Sequence, residues 1–111
     1  MTPIRITEYL DPSGRSPFGR WFDEQEAHAA AKIVVALQRM ASGNLSNCKS
    51  VGGGVQERKI DFGPGYRIYF GRDGERLVIL LGGSEKRDQR QAIQAARQSW
   101  NEYRRRKQLG A

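Results

Sequence analysis

Arg58, Arg67, Lys86 and Arg87 are the residues of this chain whose type and spacing could do chemistry. Arg58 and Arg67 fall in neighbouring strand-like segments and Lys86 with Arg87 directly after a third, so the four are expected to converge at one end and one face of a small sheet. Guanidinium groups bind phosphate in bidentate fashion, and several together stabilise the extra charge of a phosphorane-like transition state. That equipment suits metal-independent cleavage of RNA. The 2′-OH attacks its own phosphodiester, while the protein supplies orientation, proton transfer and cationic stabilisation. Glu57, Tyr66, Tyr69 and His28 are the titrating groups within reach, and strand alternation puts Tyr69 on the side of Arg67. A solvated sheet face, with Arg58 paired to an acidic neighbour, satisfies the same pattern without any chemistry.

The elements that must position these residues lie between Val55 and Gln89. Gly63-Pro64-Gly65 predicts one hairpin turn, because proline fixes φ and glycine accepts values that other residues avoid. Asp73-Gly74 predicts a second, two-residue turn. Between them Tyr66, Ile68 and Phe70 share one face and Arg67 and Tyr69 the other. A third strand is expected over Arg76–Leu81, broken by Gly82-Gly83, after which Ser84 or Asp88 caps a last helix running to about Lys107 with Ile93, Ala96, Trp100 and Tyr103 on one stripe.

Upstream, Ile4–Leu10 reads as a strand that ends at Asp11-Pro12-Ser13-Gly14. Ser16-Pro17 is a cap followed by proline at the first helical position. Phe18, Trp21 and Phe22 then fall on one side as core. A second helix fits Glu26–Ala41, with Ala30, Ile33, Val34, Leu37 and Met40 as its apolar stripe, stopped by Gly43-Asn44. Residues 17–41 form one bent helix or two, with a break favoured at Asp23–Gln25. Residues 43–54, ending in three glycines, are expected to be loop. The order β-α-α-β-β-β-α predicts one α+β domain over residues 1–111, an antiparallel-rich curved sheet with helices packed on one side.

Composition narrows the partners. The 111 residues include 19 Lys+Arg against 12 Asp+Glu, a formal charge of +7, and a pI near 10.1, which favours a polyanion. From Lys86 to Lys107 eight cations face only Asp88 and Glu102. With one cysteine, Cys48, and one histidine, His28, neither an intrachain disulfide nor a zinc-ligand set is available. Cys48 beside Lys49 reads as an incidental thiol and His28 as a surface or structural residue. Gly52-Gly53-Gly54 lacks the Lys-Ser/Thr and helix of a phosphate-binding loop. The N-terminus does not read as a signal peptide, and no apolar run approaches the roughly 20 residues that span a bilayer. A cytoplasmic protein without cofactor or metal is the expectation.

Several stretches together resemble a known family. They are Trp21-Phe22, GNLSNCKSVGGGVQERKIDFGPGYRIYFGR from Gly43 to Arg72, LLGGSEKRDQ from Leu80 to Gln89, and WNEYRRR from Trp100 to Arg106. The chain resembles the RelE/ParE superfamily of toxins from type II toxin-antitoxin modules, and within it the branch called addiction module killer protein or HigB-like. The resemblance implies a RelE-like β-α-α-β-β-β-α fold and a toxin neutralised by a cognate helix-turn-helix antitoxin, whose complex represses its own operon. It implies cleavage of mRNA on the ribosome, with Arg67 in the cleavage site, Arg58 as the basic residue of the preceding strand, and Lys86-Arg87 after the last strand. Arg58, Arg67, Lys86 and Tyr69 form the expected catalytic set, and Lys49, Arg58, Arg67, Lys86, Arg87, Arg104, Arg105 and Arg106 the expected RNA contacts. Where several ribosome-dependent members place a tyrosine early in the last helix, this chain has Ile93. That departure keeps open a non-nuclease inhibitor of DNA gyrase, as ParE-like relatives are, or a degenerate toxin that only binds its antitoxin.

Overall fold

Ser16 and Pro17 start the first helix as their types dictate. A computed structural model describes residues 2–110, and in it the Ser16 hydroxyl accepts from the Gly19 amide at 2.9 Å, with α1 spanning Pro17–Asp23. α2 follows over Ala27–Ala41, where the Glu26 carboxylate caps the His28 and Ala29 amides. The break therefore falls between Asp23 and Ala27, and residues 17–41 are two helices. The buried stripe of α2 is Ala29, Ile33, Ala36 and Met40. Val34 belongs to the exposed side, together with Val35, because the helix is rotated slightly from the stripe read in its sequence.

The sheet has five strands in the order β1-β5-β4-β3-β2. They are β1 (Arg5–Glu8), β2 (Cys48–Gly52), β3 (Val55–Ile60), β4 (Tyr66–Arg72) and β5 (Leu77–Glu85). β1 runs parallel to β5, and the remaining pairs are antiparallel. The sheet is mixed, and the domain is α+β with three α-helices, the last being α3 (Gln89–Gly110) after a 3-10 turn at Lys86–Asp88. No described helix is long and apolar enough to cross a membrane.

Three expectations are corrected. Residues 48–52 are not loop but a strand, β2, because Gly53-Gly54 makes the turn that pairs Cys48 with Arg58 and Gly52 with Val55. The glycines sit at positive φ, from 66° to 90°, so the triplet that looked like a flexible break is a hairpin. β5 passes through Gly82-Gly83 to Glu85 instead of stopping at Leu81. The Trp21 ring packs against Gly83, where any Cβ would clash with it; the glycine makes room and does not end the strand. Ser84 is consequently a strand residue and caps nothing. The turn at Asp73-Gly74 belongs to a four-residue connection, residues 73–76, closed by the Asp73 amide on the Leu77 carbonyl at 2.9 Å.

The helices also do not gather on one side. Phe18, Ile33 and Met40 of α1 and α2 pack with Ile68, Phe70, Val78 and Leu80 on one face. Ala96 and Trp100 of α3 pack with Val55, Tyr69, Ile79 and Leu81 on the other. β4 and β5 are thus sandwiched between helical layers. The unbroken run Leu77-Val78-Ile79-Leu80-Leu81 is what a strand buried on both faces requires. Trp100 lies over Gly71 and Gly54, each lacking the Cβ that would displace the ring.

Candidate functional site

Register decides which cations meet. In the β3–β4 hairpin Lys59 pairs with Arg67 and Arg58 with Ile68. Opposite residues of paired strands point to the same face, so Lys59 joins Arg67 on the α3 side while Arg58 points with Ile68 towards α2. The expected convergence of Arg58 with Arg67 is therefore corrected. Lys59 is the basic residue that the preceding strand contributes beside Arg67.

Arg67 is 5 % exposed and Glu57 1 % exposed. Arg67 Nε lies 3.5 Å from Glu57 Oε1, an ionic contact without hydrogen-bond geometry, since Nε has no hydrogen-bond partner. Gln89 at the start of α3 donates to the other carboxylate oxygen at 2.6 Å, and Lys49 Nζ of β2 approaches Oε1 at 4.0 Å. The buried carboxylate thus holds one guanidinium, draws in one ammonium and anchors the first turn of α3. Beside this pair Lys59, Arg67 and Lys86 line a cavity of about 320 Å³ under the Phe62–Gly65 turn. The turn is fixed at both ends, by the Gly65 amide on the Phe62 carbonyl and the Lys86 amide on the Gly65 carbonyl, each at 2.9 Å. Asp61, 3.5 Å from Lys59 Nζ, is an exposed carboxylate on the cavity wall.

The other predicted site residues lie elsewhere. Tyr69 does share the face of Arg67, but it is fully buried, with its hydroxyl 3.0 Å from Ser84 Oγ. Burial pushes its pKa up, with the Ser84 contact opposing. It is a core residue and cannot touch a substrate, which corrects its place in the catalytic set. Tyr66 packs against Trp21 on the opposite face, and burial raises its pKa also. His28 is a solvent-exposed residue beside Glu26 at the start of α2. Arg87 pairs with Asp88 at 3.4 Å and lines a depression with Trp21 and Gln91, away from the Arg67 cavity. Ile93 packs beneath α3 with Trp100 and Tyr69.

Arg104, Arg105 and Arg106 do not join the site either. α3 rises about 1.5 Å per residue, so they stand about 22 to 26 Å along the helix from Gln89. Arg106 is tied to Glu102 and lies over the Tyr9 ring. Arg104 borders a separate cavity with Arg72, Trp100 and Lys107. That end of α3 is docked by Asp73, which accepts from the Tyr103 hydroxyl at 2.6 Å and from Lys107 at 2.5 Å. Among the described residues no three His, Cys, Asp or Glu side chains gather where they could hold a metal ion.

Lys59 and Gln89 join the constellation without a signal of their own in the sequence, and Glu57, a titrating candidate there, is its buried counter-ion. Glu57 and Lys59 alternate in one strand, and knowing that Ile60 pairs with Tyr66 would have assigned both to the Arg67 face. The turn length needed for that register was not evident from Gly63-Pro64-Gly65. Gln89 had no local signal, because its role depends on where α3 docks.

No protein-family model matches the chain. It is 38% identical over 81 residues, 72% of this chain and 82% of the relative, to an uncharacterized protein of Haemophilus influenzae. With that identity sustained over most of both sequences, this chain belongs to the same family as the Haemophilus protein.

Proposed function

We propose that this protein is the toxin of a type II toxin-antitoxin module, a ribosome-dependent, metal-independent mRNA endonuclease acting in the cytoplasm. The observation that carries the reading is the cavity that Lys59, Arg67 and Lys86 line in common, with Arg67 held by a buried carboxylate. Three cations around one concavity fit a scissile phosphodiester, and a guanidinium fixed in advance need not reorganise as charge builds on the phosphorane. In the reaction the 2′-oxygen bonds to phosphorus as its proton leaves, and the 5′-oxygen departs with a proton. The products are a 2′,3′-cyclic phosphate and a 5′-hydroxyl. Asp61 supplies an accessible carboxylate beside the cations, and the ribosome supplies much of the substrate geometry. The family resemblance adds the partners: a cognate helix-turn-helix antitoxin, and operator DNA reached only through the complex.

A second reading is favoured by the burial of Tyr69 and by Ile93 at the first turns of α3. Both leave the cavity without an aromatic proton donor, as suits a non-nuclease inhibitor of DNA gyrase. Primer extension across reporter mRNAs, with and without translating ribosomes, decides between them after brief expression without antitoxin. The nuclease reading expects cuts confined to translated regions and dependent on ribosomes. Growth arrest with intact mRNA would overturn it in favour of the gyrase reading.

A further inference from the structure

Two arginines are buried in this sheet, one on each face, and only one has a counter-ion. Arg67 has Glu57. Arg58 is 3 % exposed, yet among the described residues no carboxylate lies within ion-pair distance of it, and its Nε and Nη1 have no hydrogen-bond partner. Its neighbour is the Cys48 thiol, whose pKa is raised chiefly by burial, with Arg58 opposing; a neutral thiol supplies no counter-charge. An unpaired charge out of water costs several kcal/mol, so a fold that keeps one without a structural partner has left a position for an anion.

The surroundings of Arg58 have the shape and charge for that role. It lines a cavity of about 300 Å³ between α2 and β3, with Lys32 and Arg39 of α2 on one wall and Lys59 on the other. Lys32 is held over the Phe62 ring at 5.4 Å. The single acidic residue on the lining, Asp61, is already engaged by Lys59 at 3.5 Å. Lys32, Arg39 and Arg58 therefore face the cavity uncompensated. This excess fits a doubly charged oxyanion better than a lone carboxylate, and the guanidinium fork matches phosphate geometry. Val35, Ala36, Ile60 and Phe62 also line it, giving an organic substituent an apolar surface.

We propose that the cavity between α2 and β3, which adjoins the Arg67 cavity at Lys59, Asp61 and Phe62, is a second anion site that binds the phosphate group of a small phosphorylated molecule on Arg58, Lys32 and Arg39. Binding there neutralises the buried charge beneath the β2–β3 hairpin, so occupancy stabilises the folded chain.

Thermal unfolding of the full chain with inorganic phosphate, against acetate and chloride at matched ionic strength, tests this. Phosphate at a hundred times its Kd is expected to raise Tm on the order of 10 °C in a saturable manner, and acetate and chloride are not. Arg58→Met should remove the share of the phosphate response that belongs to this cavity and leave Tm without phosphate equal to or above that of the parent, because a buried unpaired charge has been removed. The exposed rim variants Lys32→Ala and Arg39→Ala should each weaken the response with the fold intact, and they carry the test if Arg58→Met does not fold. Lys86→Ala removes only what the Arg67 cavity contributes, so the part of the response that depends on Arg39 should remain. A parent chain without a saturable response would overturn the proposal. So would acetate matching phosphate, or a response lost in Lys86→Ala and kept in Arg39→Ala.

Discussion

Replacing Arg67 by Met and Glu57 by Gln, singly and together, separates what this pair does for the fold from what Arg67 does for a ligand. Both side chains are almost wholly buried, with Nε and Oε1 3.5 Å apart. With an effective dielectric of about 20, their attraction is about 5 kcal/mol, most of it cancelled by desolvation. Removing one partner strands the other. Lys49 at 4.0 Å and the Gln89 hydrogen bond soften that penalty for Glu57, which puts Arg67→Met near the low end of the usual range, about 3 kcal/mol. Glu57→Gln should cost about the same by stranding Arg67, while its amide oxygen can still accept from Gln89. With neither charge present, adding the second exchange to the first should cost little more, a coupling of about 3 kcal/mol. Urea unfolding reads this directly: with m of about 2 kcal/mol/M, each single variant and the double should shift the midpoint by about 1.5 M, where additivity requires about 3 M. Additive shifts would refute the pairing argument. The two single variants are then matched in stability and differ in the cation. On the proposed toxin reading, Arg67→Met should abolish growth arrest in cells, whereas Glu57→Gln should retain part of it. Arg67→Ala is the poorer probe, since it adds a cavity to the lost charge.

Other regions give independent expectations. Gly71→Ala forces a methyl into the Trp100 ring and should cost about 1–3 kcal/mol through displaced α3 packing; an unchanged Tm would count against that packing. Tyr69→Phe should lose about 1 kcal/mol with the Ser84 hydrogen bond and, on the proposed toxin reading, keep full toxicity, so a folded but inactive variant would return Tyr69 to the catalytic set. The Lys107 and Tyr103 hydrogen bonds hold the Asp73 pKa below its ordinary value. The stability this contributes is complete above the ordinary carboxylate range and is lost as pH falls through the depressed folded value. Asp73→Asn should abolish that part of the acid dependence in circular dichroism of α3, and an acid limb unchanged by it would contradict the assignment. Burial and the Asp73 hydrogen bond push Tyr103 up to about 12, so stability should also fall between about pH 10 and 12. Tyr103→Phe should reduce that alkaline limb, read by urea titration at each pH, and leave the share of Tyr9, which burial and Glu102 also push up to about 12.

What the sequence by itself determined is local. Ser16-Pro17, Gly43, the Ala29–Met40 region of α2 and the stripe of Ala96 and Trp100 specify helices whose signals lie within a few residues. Gly63-Pro64-Gly65 and Asp73-Gly74 likewise mark the connections that fold the central strands against each other. Alternation in β4 correctly separated Tyr66, Ile68 and Phe70 from Arg67 and Tyr69. Tertiary structure decided the rest, because it depends on pairing and docking partners far along the chain. The glycine triplet could be loop or hairpin until Cys48 paired with Arg58. Gly82-Gly83 is a break by its residue types, and only the packing of Trp21 against Gly83 gives the second glycine its reason. The side chosen by α3 turned Tyr69 from a reactive candidate into core. The site followed the same rule: a strand dictates that neighbouring residues point to opposite faces, but only its register decided that Lys59, and not Arg58, stands beside Arg67. A shift of one residue would have exchanged them, since side-chain direction in a sheet has a period of two.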